Sequence, residues 1–248
     1  MTFKQKLAEG ETLVGTFLKT PSPTICEVLG RTTLDFLCID AEHNPFDRRD
    51  ISDCVLACRS VGLPNLVRLP IASAEHIATA LDCGAGGFVA PHLMSAEDAR
   101  MIVAKSDYKQ SRGFCGGTRA AGTRTLEEHV RLAGGDTVVI GQIEDIEAVQ
   151  DLDAILEVDG IDCYFIGRSD LTLSMGHTDR NHPDVIATVE DITSRAVARG
   201  RRVGTFTSDL RELPKWRNMG INLFLLGSEQ GFMINGTNAF LEDVRGRF

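Results

Sequence analysis

Short apolar runs alternate with amphipathic stretches along this chain. Eight such runs are present: Leu13–Leu18, Phe36–Asp40, Asn65–Leu69, Gly87–Pro91, Val138–Glu144, Cys163–Asp170, Arg202–Thr207 and Leu223–Gly227. Their length fits buried strands, and the segments between them repeat apolar residues at helical spacing. The helix candidates are Ser22–Leu29, Arg48–Ser60, Ala74–Cys83, Ser95–Ser106, Ile146–Leu156, Pro183–Arg199, Asp209–Met219 and Thr237–Arg245. Ser95 with Asp98, and Asp209 with Glu212, are spaced as helix-start caps. Strand and helix in strict alternation favour a parallel sheet covered by helices. A doubly wound sheet gives a similar alternation, but eight strands with eight helices point to α/β architecture closed as a (β/α)8 TIM barrel. No linker-like stretch divides residues 1–248, so a single domain is expected. The connection between the fourth and fifth strands, Asp107 to Asp136, far exceeds the usual ~2–6 residues. It carries Arg112-Gly113 and Gly116-Gly117, and a long loop after a strand often shapes a site.

Composition narrows the function. Of 248 residues 43% are hydrophobic, enough for a large core, and the formal net charge of −9 argues against a nucleic-acid binder. A small-molecule partner is expected. The 7 cysteines form no CxxC pair or zinc-finger spacing and read as reduced core thiols, with Cys54 and Cys58 on one buried helix face. The N-terminal segment lacks a signal-peptide core and no apolar stretch is long enough to span a bilayer, so the expectation is a cytoplasmic protein without membrane association. The glycine pairs make neither GxGxxG nor a Walker loop.

The chemistry gathers at strand ends, where a parallel barrel collects its catalytic groups. Glu144 and Asp170 close two neighbouring strand-like runs, and two carboxylates there can share a metal ion. Oxygen ligands without cysteine or histidine favour Mg²⁺ or Mn²⁺, with Co²⁺ a further candidate, over Zn²⁺. Gln142 alternates with Glu144 and should share its inward face as a hydrogen-bond donor to substrate. Asp40-Ala41-Glu42-His43 ends the second run, offering His43 as general base with Asp40 to orient it; a surface histidine is the alternative. Arg68 ends the third run and needs an anion, either a substrate oxyanion or an internal carboxylate such as Glu144 or Asp82. Asp82, at a helix end, reads as a positioning group. A polar plug of the barrel is the non-catalytic alternative for the inward polar groups. His76, His129, His177 and His182 read as solvated, and His92, after Pro91, as a weaker rim candidate.

The ordered series Asp40-Ala41-Glu42-His43, Val67-Arg68, Leu81-Asp82-Cys83-Gly84, Ala90-Pro91, Gln142-Ile143-Glu144 and Phe165-Ile166-Gly167-Arg168-Ser169-Asp170-Leu171 resembles the HpcH/HpaI aldolase family, over about Leu13 to Gly227. The resemblance implies a class II, metal-dependent pyruvate aldolase, in which a 4-hydroxy-2-oxo acid is cleaved reversibly to pyruvate and an aldehyde. Glu144 and Asp170 match its metal ligands, His43 with Asp40 its base, and Arg68 the stabiliser of the enolate. Gln142 matches a pyruvate contact, Ser169 lies where a backbone N–H meets the pyruvate carboxylate, and Phe17 stands where a tryptophan often borders the aldehyde pocket. A homo-oligomer, hexamer or trimer, with C-terminal helices exchanged between subunits, is also implied. Arg168-Ser169 and Glu229 depart from the family's pattern. Rival readings are a Schiff-base aldolase using Lys19, a CoA-ester lyase or oxaloacetate decarboxylase on the same scaffold, and a keto-acid-binding barrel without catalysis.

Overall fold

Eight parallel strands close into a barrel in strictly sequential order, each hydrogen-bonded to the next and the last to the first. The computed structural model describes residues 1–248, Gly134 by its backbone course alone. The strands are β1 (Leu13–Leu18), β2 (Phe36–Asp40), β3 (Asn65–Arg68), β4 (Gly87–Ala90), β5 (Val138–Ile143), β6 (Cys163–Ile166), β7 (Val203–Thr207) and β8 (Ile221–Ser228). The helices are α1 (Phe3–Glu9), α2 (Pro23–Leu29), α3 (Arg48–Ser60), α4 (Ala74–Asp82), α5 (Ala96–Ser106), α6 (Leu126–Asp136), α7 (Ile146–Gln150), α8 (Leu152–Leu156), α9 (Arg168–Ser174), α10 (Pro183–Ala198), α11 (Leu213–Asn218) and α12 (Glu229–Arg245). This is a (β/α)8 barrel.

Strand parity sorts the core into two layers. Phe36, Cys38, Leu66, Val138, Ile140, Cys163 and Phe165 point inward and fill the barrel with Leu13 and Leu223. Their neighbours Leu37, Ile39, Val67, Val139, Tyr164 and Ile166 point outward, against the helices. A side chain as fully buried as Phe36 contributes ~1.5–3 kcal/mol. The same parity carries Asp40, Arg68 and Gln142 to the inner face at the C-terminal rim, one step beyond the last apolar layer. The opposite end is stoppered by α1, whose Phe3 ring lies 5.2 Å from that of Phe36.

Several expectations are corrected. The sixth strand ends at Ile166, and Arg168–Ser174 is helical because Gly167 turns the chain into α9; Asp170 therefore stands in a helix's first turn. Helices α1 and α6 were not anticipated, the latter set in the long insertion and started by Thr125, which forms a capping box with Glu128. Asp151 divides Ile146–Leu156 into α7 and α8, and the last helix begins at Glu229, under a Ser228 cap, instead of Thr237. Asp209 heads a 3-10 turn, Leu210–Glu212, before α11. Cys115 is exposed while the other six cysteines are buried. No helix among the described residues is long and apolar enough to cross a membrane.

Candidate active site

Asp40 and Arg68 face each other because β2 and β3 pair in register at that level. The guanidinium donates from Nε to Asp40 Oδ1 at 2.9 Å and brings Nη2 to 2.8 Å of the same oxygen, while Nη1 lies 3.2 Å from Glu42 Oε2. Asn44 Nδ2 donates to the second Asp40 oxygen at 2.7 Å. The anion expected for Arg68 is thus supplied by Asp40 and Glu42, not by Glu144 or Asp82. Phe17 supports the guanidinium from its other face, with Arg68 Cζ 4.5 Å from the ring centroid.

Asp40 does not reach the His43 imidazole. Its carboxylate is consumed by Arg68 and Asn44 and meets His43 only through the backbone N–H, at 3.4 Å. The group facing the ring is Glu42, 3.6 Å from Nε2. Glu42 received no role from the sequence, although it sits between the two residues that did. A chain leaving a strand end has no fixed side-chain period, so alternation gave no signal for it. Its Oε2 is buried and makes no hydrogen bond, despite the nearby guanidinium. Burial raises the Glu42 pKa, Arg68 and His92 oppose that, and Asp40 and Asp170 add to it.

Glu144 is 1% exposed. Gln142 Nε2 donates to its Oε2, and the His92 backbone N–H donates to Oε1 at 2.9 Å. Burial drives its pKa up to about 7 against those hydrogen bonds. His92 is more central than expected: it adopts φ 51°, its Nδ1 lies 2.9 Å from Asp145 Oδ2, and its Nε2 lies 3.8 Å from Glu42. Burial lowers the His92 pKa, but Asp145, Glu144 and Glu42 raise it further than burial depresses it. Gly167 makes room for this cluster, since a Cβ there would lie 2.5 Å from Glu144 Oε2 and 3.2 Å from Gln142 Nε2.

A cavity of about 290 Å³ opens beside this cluster, at Gln142 and Gly167. Phe17, His43, Arg68, Gln142, Ser169 and Asp170 line it, together with Lys19, Phe165, Gly167, Arg168, Arg180 and Phe206. Asp82 is elsewhere: it pairs at 3.1 Å with Arg112 of the long insertion, which its helix-end position did not reveal. His129 is also not solvated; it is buried within that insertion, with Nε2 3.0 Å from the Tyr108 hydroxyl.

The family model for HpcH/HpaI aldolase/citrate lyase matches residues 13–236, which include every residue of the cavity. The chain belongs to the HpcH/HpaI aldolase/citrate lyase family. A hydroxypyruvate/pyruvate aldolase of Paraburkholderia phytofirmans is 32% identical, over 98% of this chain and 96% of that protein. A 5-keto-4-deoxy-D-glucarate aldolase of Salmonella arizonae is 31% identical over the same shares of the two chains. Among solved structures, an HpcH/HpaI aldolase/citrate lyase family protein of Burkholderia cenocepacia superposes with TM-score 0.93 at 30% identity, covering 98% of both chains.

The fold accounts for Glu229, where the chain departs from the family's pattern. The carboxylate is buried and accepts the backbone N–H groups of Lys19 at 2.9 Å and Thr20 at 2.7 Å, so it fastens the loop after β1 to the start of α12. The departure at this position places no free charge at the cavity mouth.

Proposed function

We propose that the protein is a class II pyruvate aldolase, a carbon–carbon lyase that reversibly cleaves a 4-hydroxy-2-oxo acid into pyruvate and an aldehyde. The observation that carries this reading is one small cavity lined by His43, Arg68, Gln142 and Asp170, with the buried carboxylates Glu42 and Glu144 directly behind it, against Arg68 and Gln142 respectively. The named aldolase relatives support the same reaction class.

The donor set fits a hard divalent cation. Buried Glu42 Oε2 and Gln142 Oε1 lack hydrogen-bond partners, and Glu144 faces repulsion from the Glu42 carboxylate that a cation would relieve. Glu144 and Asp170 would hold the ion, Mg²⁺ or Mn²⁺ with Co²⁺ as a third candidate. Bound there, it would supply a Lewis acid toward the keto and carboxylate oxygens of pyruvate.

The chain's own groups perform the rest. Gln142 and the backbone at Ser169 orient pyruvate. His43 accepts a proton from the pyruvate methyl carbon, and Arg68, fixed by Asp40 and Glu42, offsets the negative charge that grows on the enolate oxygen. The enolate carbon then forms the new bond to the aldehyde carbon, and the resulting alkoxide takes a proton back. Cleavage runs through the same groups in reverse.

A cavity of about 290 Å³ is at the small end of the ~300–1,000 Å³ typical of ligand pockets, which suits pyruvate with a short aldehyde better than a CoA thioester. Helix α12 supports a homo-oligomer, hexamer or trimer, because Phe232, Met233, Ile234 and Phe240 are exposed while Glu229 is its only buried residue. The deciding experiment follows deuterium entry at the pyruvate methyl group by NMR in D₂O, with Mg²⁺ or Mn²⁺ and then with excess EDTA. Exchange that needs metal supports the reading. Exchange absent in both conditions overturns it.

A further inference from the structure

A second cavity, of about 190 Å³, opens at the opposite end of the barrel. Gly86 and Thr137 line it and stand just before β4 and β5, so it lies at the N-terminal ends of those strands and shares no residue with the cavity at the rim. Its other walls include Arg59 in the last turn of α3 and Arg112, Arg124 and His129 of the long insertion. Two of these groups are buried with a polar atom unpartnered. The Arg112 side chain is 2% exposed, with Nη2 3.1 Å from Asp82 Oδ1 and Cζ 4.2 Å from the Tyr108 ring centroid, yet its Nε makes no hydrogen bond. His129 Nδ1 is buried and likewise without a partner. Burial raises the Tyr108 pKa, so its hydroxyl keeps its proton; donated to His129 Nε2, it leaves the ring's own proton on Nδ1 as a donor.

Two buried donors left open in one cavity call for an acceptor. Arg59 and Arg124 add charge to that demand. Neither makes a salt bridge among the described residues, and Gly84 gives Arg59 its place, since a Cβ there would strike Nη1. The lining carries one carboxylate, the exposed Asp136, while Asp82 is taken by Arg112. A water molecule would satisfy the two donors but leave the outer guanidinium groups opposed by Asp136 alone. A small anion meets both needs, and a cavity below the ~300–1,000 Å³ of ordinary ligand pockets suits an ion or a short fragment better than a cofactor.

We propose that Arg112, His129, Arg59 and Arg124 form a binding site for a small oxyanion, a phosphate or carboxylate group, which fastens the insertion of residues 107–136 to the ends of α3 and α4. The site is independent of the aldolase reading. None of its residues is among those assigned to pyruvate, metal or proton transfer.

The test is hydrogen–deuterium exchange read by mass spectrometry on the full-length protein with Mg²⁺, titrated with potassium phosphate or potassium malonate at an ionic strength held constant with potassium chloride. At least one of the two anions should slow backbone exchange saturably in peptides spanning residues 112–133, and the one that acts at lower concentration identifies the group. In Arg124→Gln and in Arg59→Gln the concentration for half-protection should rise roughly 10- to 100-fold, the worth of one charge-assisted contact. Both positions are exposed, so the variants fold as the native chain does. Lys109→Gln, also exposed and on the same insertion but outside the cavity, should keep the native half-protection concentration, which separates a built site from a general response to surface charge. Protection of residues 112–133 by neither anion, protection confined to peptides of the rim cavity such as 165–171, or equal half-protection concentrations in the native protein, Arg124→Gln and Arg59→Gln would overturn the site.

Discussion

Replacing Gly167 with alanine adds one methyl group against the two side chains that organise the candidate metal site. The backbone tolerates it, since φ at Gly167 is −85°. The collision lies elsewhere: the new Cβ would sit 2.5 Å from Glu144 Oε2 and 2.9 Å from Glu144 Cβ, whereas ordinary contact begins at 3.4 Å. The carboxylate oxygen must retreat by about 0.9 Å, and the Cβ clash prevents rotation alone from relieving it. An overpacked site of this kind costs ~1–3 kcal/mol of stability. Misplacement of a reacting or ligating group by about an ångström costs on the order of 100-fold in rate, and disturbance of a ligand's support ~10- to 100-fold in metal affinity. Gly167→Ala should therefore stay folded, with a modestly lower Tm, while Mn²⁺ affinity by titration calorimetry and metal-dependent methyl exchange both fall by those factors. Gly141→Ala is the matched control. Its Cβ would strike Leu93 Cδ2 on the outer, apolar side of β5, so stability should drop without a comparable loss of metal affinity. Native Mn²⁺ affinity and native exchange in Gly167→Ala would refute the placement of Glu144 as a ligand held by this contact.

Other outcomes follow from single contacts. Arg68→Met leaves Asp40 and Glu42 as uncompensated buried carboxylates and should destabilise the fold by ~3–5 kcal/mol in urea titrations, as well as abolishing turnover; a stable but inactive variant would show that the pair contributes little to folding. Glu229→Ala orphans the Lys19 and Thr20 amides and should cost ~1–3 kcal/mol, more than Gln230→Ala, which removes one exposed hydrogen bond; equal urea midpoints would count against the clamp. Burial, reinforced by Arg112 and Arg124, lowers the His129 pKa below the ordinary value of about 6.5. The unfolded chain then takes up this proton first as pH falls, so its contribution is complete above about 6.5 and declines from there down to the folded-state pKa. His129→Gln should flatten that part of the Tm–pH curve, and an unchanged slope would exclude His129 as its source. Borohydride added with pyruvate should leave activity intact, because Lys19 is read as a charge at the cavity wall; covalent trapping there would return the Schiff-base alternative.

Much of the site was legible because strand parity is a local property. Gln142 and Arg68 could be placed inward from their own neighbours alone, and the long insertion announced itself by length. Four placements were not legible. His129 lies on a segment whose helical pattern says nothing of what covers it, and the pairing of Tyr108 and Arg112 with that region needs the folded insertion. Asp82 finds its partner 30 residues away in that same insertion. Glu42 and His92 leave their strands where alternation ends, so only the path of each turn aims them.

The sequence by itself determined the barrel and its polar rim: alternating apolar runs can bury both faces of a parallel sheet only under helices, and period-2 side chains carry Asp40, Arg68 and Gln142 inward together. Tertiary structure alone decided who meets whom. Register between β2 and β3 gave Arg68 to Asp40 and thereby took Asp40 from His43, leaving Glu42 against the imidazole. Barrel closure and the positive φ at His92 brought a backbone N–H across 52 residues to Glu144. The physical reason is that a charge buried at a strand end must find its counter-charge across neighbouring strands and turns, and that choice depends on distances of a few ångströms which no one-dimensional pattern encodes.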